Sequence, residues 1–96
     1  MDKNFYTYII LTENNTLYCG YTDAPNARFE KHKTGVAAKY TKANRPIKMV
    51  FLKEFETKSE AMKEECRIKK LTRPQKLSLI DSDENLLISN NLSNFP

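Results

Sequence analysis

The sequence predicts an α+β domain in which a small three-stranded antiparallel sheet is flanked by helices in the order β-β-α-β-α-α. Segments rich in aromatic and β-branched residues alternate with segments that begin at helix caps, which favours mixed strands and helices. The 96 residues suffice for one modest core and leave no room for a second domain. We expect a domain over residues 1–82 and a loosely ordered tail over residues 83–96, where Asn, Ser and Leu show no clear period.

Three segments have the composition of β-strands. Residues 5–12 (FYTYIILT) and 16–22 (TLYCGYT) are separated by two asparagines, which predicts a β-hairpin. Residues 47–55 (IKMVFLKEF) predict the third strand. Alternation along it assigns the apolar residues to two faces, with Val50 and Leu52 on one and Met49 and Phe51 on the other.

Capping signals predict a helix directly after the hairpin. Thr22-Asp23 offers an N-cap, Pro25 fits the first turn, and Gly35 supplies a left-handed terminator. These signals predict a helix over residues 24–34.

Two more helices follow the third strand. The capping-box spacing of residues 57–60 (TKSE) opens a long helix that extends to about Leu71. A proline begins a shorter helix over residues 74–80, which would present Leu77 and Ile80 to the core.

Composition favours a cytoplasmic protein. With 40% hydrophobic and 29% charged residues, the chain has the balance of a soluble domain. No segment approaches the roughly 20 apolar residues of a membrane span, and the N-terminus lacks the pattern of a secretory signal. In a reducing compartment, Cys19 and Cys66 are expected to be buried small hydrophobes rather than a disulfide.

Positive charge is concentrated in the middle and later parts of the chain, whose net charge is +4. Residues 24–53 hold eight Lys or Arg against one acid, and residues 58–80 hold seven against three. Such a block favours a polyanion partner, because each neutralised phosphate releases a counterion. On charge alone, a solvated surface is an equally good interpretation.

The hairpin and the first helix supply candidate phosphate contacts. The hairpin holds four phenols, at Tyr6, Tyr8, Tyr18 and Tyr21. Tyrosine in strands usually reflects β-propensity alone. Arg28 and His32 are four residues apart and therefore share a helix face from which both could contact a phosphate, although these residues also occur on ordinary solvent faces.

A carboxylate interrupts the apolar side of the long helix. At 100° per residue, Glu65 falls near the middle of a sector formed by Ala61, Met62, Cys66, Ile68 and Leu71. A buried carboxylate costs several kcal/mol to desolvate, so it needs a cation beside it. A metal ion and a salt bridge to Arg28 are equally good interpretations, and the sector is wide enough for Glu64 to compete for the inward position.

Five short motifs follow one another in a fixed order: residues 6–8 (YTY), residues 18–20 (YCG), Arg28, His32, and Glu65 in the sequence ECRIK. In this order and spacing they resemble the GIY-YIG nucleases, from residue 5 to about residue 80. The chain looks most similar to the small single-domain bacterial branch, which also carries GVAAKYT at residues 35–41 and Arg-Pro at residues 45–46.

The resemblance implies a role for each matching residue. Tyr8 would position the attacking water or accept its proton, and Tyr18 would donate a hydrogen bond to the scissile phosphate. Arg28 would neutralise charge on the phosphate oxygens in the transition state. His32 would be a second phosphate contact or a proton carrier. Glu65 would hold one divalent metal ion.

The resemblance also implies a cofactor and a partner. Hard oxygen ligands favour Mg²⁺ or Mn²⁺, and the partner would be DNA, whether single-stranded, duplex or branched. The sequence departs from the family pattern, because Tyr6 and Thr7 stand where Gly and Ile are common. Sequence specificity would come from a protein partner or from DNA shape. The expected nucleic-acid contacts are Lys39, Tyr40, Lys42, Arg45 and Lys69.

The hairpin offers a geometric test of these roles. A three-residue loop over residues 13–15 pairs Thr12 with Thr16, puts Asn15 in the left-handed conformation and places Tyr8 and Tyr18 on one face. A two-residue turn would put the two phenols on opposite faces. We predict the three-residue loop.

The favoured function is metal-dependent hydrolysis of DNA phosphodiester bonds. The alternative is a nucleic-acid-binding module with a weakened nuclease site, for which the same basic block would suffice. A protein-interaction scaffold that retains only the fold is a third interpretation, which salt-insensitive or absent DNA binding would favour.

Overall fold

A computed structural model describes residues 4–34 and 44–89 of the protein. The strands pair antiparallel in the order β2-β1-β3, and the helices lie on both faces of the sheet. This confirms the predicted α+β class and element order. The elements are β1 (Phe5–Thr12), β2 (Leu17–Thr22), α1 (Pro25–Lys33), β3 (Pro46–Phe55), α2 (Lys58–Lys69), α3 (Arg73–Ile80) and a short α4 (Leu86–Ser89).

The hairpin closes with the predicted three-residue loop. Thr12 N–H donates to Thr16 O at 3.0 Å, and Asn15 takes a left-handed φ of 61°. Because β1 and β2 then pair Ile10 with Tyr18, the side chains of Tyr8 and Tyr18 lie on the same face of the sheet. The prediction that places both phenols on one face is confirmed.

The sheet separates two apolar clusters. Tyr8, Ile10, Phe29, Met49 and Leu52 form the cluster beneath α1 and α4. Ile9, Cys19, Phe51, Ile68 and Leu79 form the cluster beneath α2 and α3. Each cluster buries apolar surface from strand and helix together, which is the main stabilising term for a domain of this size.

The predicted assignment of β3 residues to faces is wrong. Ile9 pairs with Phe51 but Ile10 pairs with Met49, so the register shifts by one residue at this point. The extra residue in β3 puts Met49 on the same side as Leu52, and Val50 packs with Phe51 instead.

The capping box of α2 forms as predicted, because Thr57 accepts from Glu60 N–H while the Glu60 carboxylate accepts from Thr57 N–H. The predicted apolar sector is partly wrong. Met62 and Cys66 are exposed, and this corrects the expectation that both cysteines are buried; Cys19 is buried as expected.

Two helix details also differ from expectation. The N-cap of α1 is Ala24 rather than the Thr22-Asp23 pair, and the Thr22 hydroxyl accepts from Ala24 N–H instead. In α3, Leu77 is exposed and Leu79 is the buried residue. The helix begins one residue earlier than expected, at Arg73, so that the Thr72 side chain caps it.

The loose tail was expected to begin at residue 83, but the packed part of the chain extends further. Asn85 is buried, and its amide bonds to the backbone of Val50, Leu52 and Ile80. Leu86 and Leu87 pack against the cluster beneath α1. Residues 85–87 therefore belong to the packed domain, and residues 90–96 lie outside the described part of the chain.

Within residues 4–34 and 44–89, no helix is long and apolar enough to cross a membrane.

Candidate active site

A cavity of about 500 Å³ opens at the β2 edge of the sheet, where α1 and α2 approach each other from opposite faces. Four of the predicted site residues line it, namely Tyr8, Tyr18, Arg28 and Glu65. These residues lie on four different elements, so the fold brings together groups that are up to 57 residues apart in sequence, from position 8 to position 65.

His32 lies behind the cavity rather than in it. Its side chain is fully buried, and the Tyr8 hydroxyl is 2.8 Å from His32 Nε2. The Tyr18 ring also meets the imidazole edge to face, with ring centroids 5.1 Å apart. The imidazole therefore sits between the two phenols and contacts Tyr8 directly.

Burial controls the protonation of this pair. Loss of solvent, with a smaller contribution from the Arg28 charge, lowers the pKa of His32 to about 4. The imidazole is therefore neutral at pH 7, and Nε2 can accept the Tyr8 proton when the other ring nitrogen carries the hydrogen. Burial also raises the pKa of Tyr8 to about 12, although a hydrogen bond from the Arg28 guanidinium opposes the rise.

Gly20 allows the Tyr8 phenol to reach this position. Tyr8 pairs with Gly20 across the hairpin, and its ring lies over the glycine. A Cβ at position 20 would be 2.4 Å from the Tyr8 hydroxyl oxygen and 2.7 Å from Cζ. Any larger residue would displace the phenol from His32. This close approach explains why the third position of the YCG motif is a glycine.

Arg28 has an unused hydrogen-bond donor at the cavity. Its Nε is buried and has no hydrogen-bond partner among the described residues. An unsatisfied buried donor costs about 1–3 kcal/mol. A phosphate oxygen would satisfy it once the side chain turns this donor toward the cavity, because a guanidinium matches the geometry of a phosphate.

The two adjacent glutamates of α2 take different positions. Glu64 occupies the buried side of the helix, where Arg67 and Lys53 pair with it. Glu65 lies at the edge of that side, faces the cavity and is 3.7 Å from Lys69 Nζ. The expectation that Glu65 falls near the middle of the apolar sector is wrong. Glu64, the competing residue, takes the inward position, and the ion pair of Glu65 is with Lys69 rather than Arg28.

The predicted nucleic-acid contacts are only partly described. Lys39, Tyr40 and Lys42 lie outside the described residues. Arg45 is exposed near the hairpin loop, where its carbonyl accepts from Glu13 N–H at 2.8 Å. Glu13 is five residues beyond Tyr8, so Arg45 lies roughly 16 Å along the strand direction from the phenol.

Sequence reasoning missed two charged residues that line the cavity, Asp23 and Lys58. Asp23 directly follows β2, and Lys58 is the first residue of α2. Neither residue belongs to a periodic pattern or a family motif that points to the cavity. Each lines the cavity because of where its helix or strand begins or ends in space.

Comparison with known protein families shows which family the chain belongs to. The model of the GIY-YIG catalytic domain matches residues 4–78, which is most of the chain. The chain belongs to the GIY-YIG family. The resemblance inferred from the motifs is thereby confirmed.

Relatives of similar length are found in bacteria. A UPF0213 protein of Oceanobacillus iheyensis is 45% identical over 84 residues, covering 88% of this chain and 98% of the relative. A UPF0213 protein of Staphylococcus aureus is 50% identical over 80 residues, covering 83% and 96%.

Two solution NMR structures are similar to the fold of this chain. The UPF0213 protein of Bacillus halodurans is 31% identical with a TM-score of 0.56, covering 97% of this chain and 99% of that one. A protein from E. faecalis is 39% identical with a TM-score of 0.54, covering 81% and 84%.

The donors at the GIY-YIG cavity fit an open metal site. Within the described residues no three His, Cys, Asp or Glu side chains form a group that could hold a metal ion, so a closed site made of protein ligands is not found there. Glu65 and Asp23 offer hard carboxylate oxygens to one cavity. Mg²⁺ and Mn²⁺ suit this chemistry, since Mg²⁺ is commonly held by one or two carboxylates while water and substrate phosphate complete the shell.

Proposed function

We propose that this GIY-YIG protein is a cytoplasmic, divalent-metal-dependent endonuclease that hydrolyses DNA phosphodiester bonds. The observation that carries the proposal is the convergence of Tyr8, Tyr18, Arg28 and Glu65 on one cavity. Behind these residues lies a buried neutral imidazole, His32, which can accept a hydrogen bond from Tyr8.

The Tyr8 and His32 pair supplies a route for the proton of the attacking water. With a Tyr8 pKa of about 12, the free phenolate would make up about one part in 10⁵ at pH 7. A concerted transfer avoids this species: Tyr8 Oη accepts the proton of the water while its own proton passes to His32 Nε2. The oxygen of the water then attacks phosphorus and the bond to the leaving oxygen breaks. The His32 imidazolium, which burial makes acidic, returns its proton through Tyr8, and the leaving oxygen takes up a proton to become a hydroxyl.

Arg28 and Tyr18 would bind the phosphate that is attacked. The unpartnered Nε of Arg28 would donate to a phosphate oxygen and stabilise the charge that grows in the transition state. The Tyr18 hydroxyl lines the same cavity and would donate to a second oxygen. These contacts orient the phosphate toward the water on Tyr8.

Glu65 would hold the divalent ion, and Asp23 lines the same cavity. When bound there, Mg²⁺ or Mn²⁺ would supply positive charge that stabilises the leaving oxygen. Phosphates on either side of the cut would be attracted by Lys39, Tyr40, Lys42, Arg45 and Lys69, which we propose as further DNA contacts.

The proposal is tested by cleavage of labelled single-stranded, duplex and branched DNA with magnesium, manganese or a chelator. Tyr8→Phe and Glu65→Ala are expected to lower the cleavage rate by about 100-fold or more while the domain stays folded. Tyr6→Phe is the matched control, because Tyr6 lies two residues away on the same strand but its hydroxyl donates to Glu54. Metal-dependent cutting by Tyr8→Phe at the wild-type rate would contradict the assigned role.

A second candidate is a nucleic-acid-binding module with a weakened site. The observation that favours it is the raised pKa of Tyr8. This pKa keeps the phenol protonated at pH 7, so the phenol can act as a base only if His32 takes its proton. DNA binding by the wild type without any metal-dependent cleavage would support this alternative and overturn the nuclease.

A further inference from the structure

The exposed side of α2 carries apolar side chains next to the candidate active site. An open groove there is lined by Lys58, Ser59, Met62, Lys63 and Cys66, which we call the α2 strip. Met62 is 42% exposed, and Cys66 is exposed beside it. Since residues four apart share one side of a helix, Lys58, Met62 and Cys66 form a single row.

The α2 strip is continuous with the active-site cavity. Lys58 lines both the cavity and the strip. Met62 follows Lys58 by four residues, which is about 6 Å along the helix axis. A DNA strand whose phosphate lies beside Glu65 and Arg28 would therefore bring an adjacent nucleotide onto Met62.

The chemistry of the α2 strip suits one part of a nucleotide in particular. Its centre is the thioether of Met62 with the sulfur of Cys66, and polarisable sulfur packs well against aromatic faces. Its borders are the ammonium groups of Lys58 and Lys63, which complement the phosphates on either side of a base. A base inside a duplex has both faces stacked, so only an unpaired base can offer its face.

We infer that the α2 strip binds the face of an unpaired nucleobase adjacent to the cleaved phosphate. Met62 is then a specificity-determining residue that makes the enzyme prefer DNA with an unpaired nucleotide at this position. This inference rests on the proposed nuclease function, because the cavity must hold the phosphate for the neighbouring base to reach the α2 strip.

The test compares two DNA molecules that differ only in pairing. One is a fully paired duplex, and the other leaves a 2-aminopurine nucleotide unpaired at a branch point; affinity is measured with the full chain in chelator, so that no cutting interferes. Met62→Ser is expected to weaken binding of the branched DNA by about tenfold, which is the scale of losing one stacked base. Binding of the duplex should change by about twofold at most, because the phosphate contacts remain.

Leu77→Ser is the matched control, because Leu77 is 43% exposed on α3 and does not line the groove. In the wild type, packing of the unpaired 2-aminopurine against Met62 should quench its fluorescence. Leu77→Ser should leave this quenching and both affinities at wild-type levels, whereas Met62→Ser should abolish the quenching. Circular dichroism checks that both variants are folded.

Each result has a separate meaning. If the wild type cuts DNA but Met62→Ser binds both molecules like the wild type, or weakens both equally, the inference is overturned and the nuclease proposal stands. If the wild type binds neither molecule, the inference is overturned, and the cleavage assay with metal decides the nuclease proposal separately. If Met62→Ser weakens binding of the branched DNA but not of the duplex, the inference is supported even if cleavage is weak.

Discussion

Polar side chains lie at both edges of the three-stranded sheet, but the two edges differ in how fully the hydrogen-bonding groups of these side chains are paired. At the β3 edge, the Asn85 amide donates to two backbone carbonyls and accepts from two backbone N–H groups. At the β2 edge, the buried Nε of Arg28 has no partner among the described residues, and Tyr8 and Glu65 face a cavity. The β3 edge therefore has the features of a structural region, and the β2 edge those of a ligand-binding one.

Two adjacent glutamates on α2 show this difference on one element. Arg67 donates two hydrogen bonds to Glu64, at 2.8 and 2.7 Å, and Lys53 adds an ion pair at 3.6 Å. The hydrogen bonds from Arg67 hold the pKa of Glu64 below its usual value. Glu65 has a longer ion pair with Lys69, at 3.7 Å, and opens onto the cavity. Incomplete pairing beside a cavity, rather than burial, is the feature on which we propose Glu65 as the functional carboxylate.

The largest expected effect separates these two glutamates. Glu65→Gln should lower metal-dependent cleavage by about 100-fold or more, because it removes the charge proposed to hold the metal, with little change in stability. Glu64→Gln should lower the free energy of unfolding by about 1–3 kcal/mol, because Arg67 loses its counter-charge while Lys53 keeps only Glu84, with cleavage retained. Urea denaturation and DNA cleavage measure the two effects. The reverse pattern would show that Glu64 is the functional acid.

A smaller effect concerns the pH dependence of stability at the β2 edge. His32 is the only histidine, and its pKa is lowered to about 4 from a usual value of 6.5. Between these pH values the unfolded chain binds the proton and the folded chain does not, so stability is full above pH 6.5 and falls as the pH is lowered. From pH 7 to pH 5, this residue should cost about 2 kcal/mol of unfolding free energy.

Urea denaturation at the two pH values checks this expectation, with His32→Gln as the comparison. The variant should be less stable at pH 7 but should lose the part of the pH dependence that lies between pH 7 and pH 5. The β3 edge has no histidine, so no imidazole there adds to the pH dependence. An equal slope in both proteins would show that His32 is not held neutral by the fold.

The sequence predicts the β2 edge well because its geometry follows from local rules. The register of the hairpin depends on a loop of three residues and on the tolerance of Asn15 for a left-handed φ, both of which are visible in the sequence. Once the register is known, alternation places Tyr8 beside Tyr18. The motif spacing then adds Arg28, His32 and Glu65.

The β3 edge could not be predicted in the same way. The register shift at Val50 arises where β1 and β3 pair over about 40 residues of sequence separation, from Ile10 to Met49. Asn85 joins the core through bonds to Val50 and Leu52, and nothing near it in sequence indicates a buried amide. The sequence leaves Glu64 and Glu65 as competitors for the inward position. A helical wheel with 100° steps cannot decide between them, because it does not show that Lys53 on β3 pairs with Glu64.

The smallest expected effect tests how strongly Lys69 competes for Glu65. Their ion pair is 3.7 Å long, and the lysine side chain is 54% exposed, so the pair contributes only about 0.3–0.5 kcal/mol. Lys69→Gln should therefore tighten binding of Mn²⁺ by about twofold, measured by titration of the metal without DNA. Lys70→Gln removes the same charge one residue further along and should leave the Mn²⁺ affinity nearer to the wild-type value. A tenfold or larger gain would mean that Lys69 occupies the metal position as firmly as Arg67 holds Glu64, and the contrast between the two carboxylates would then disappear.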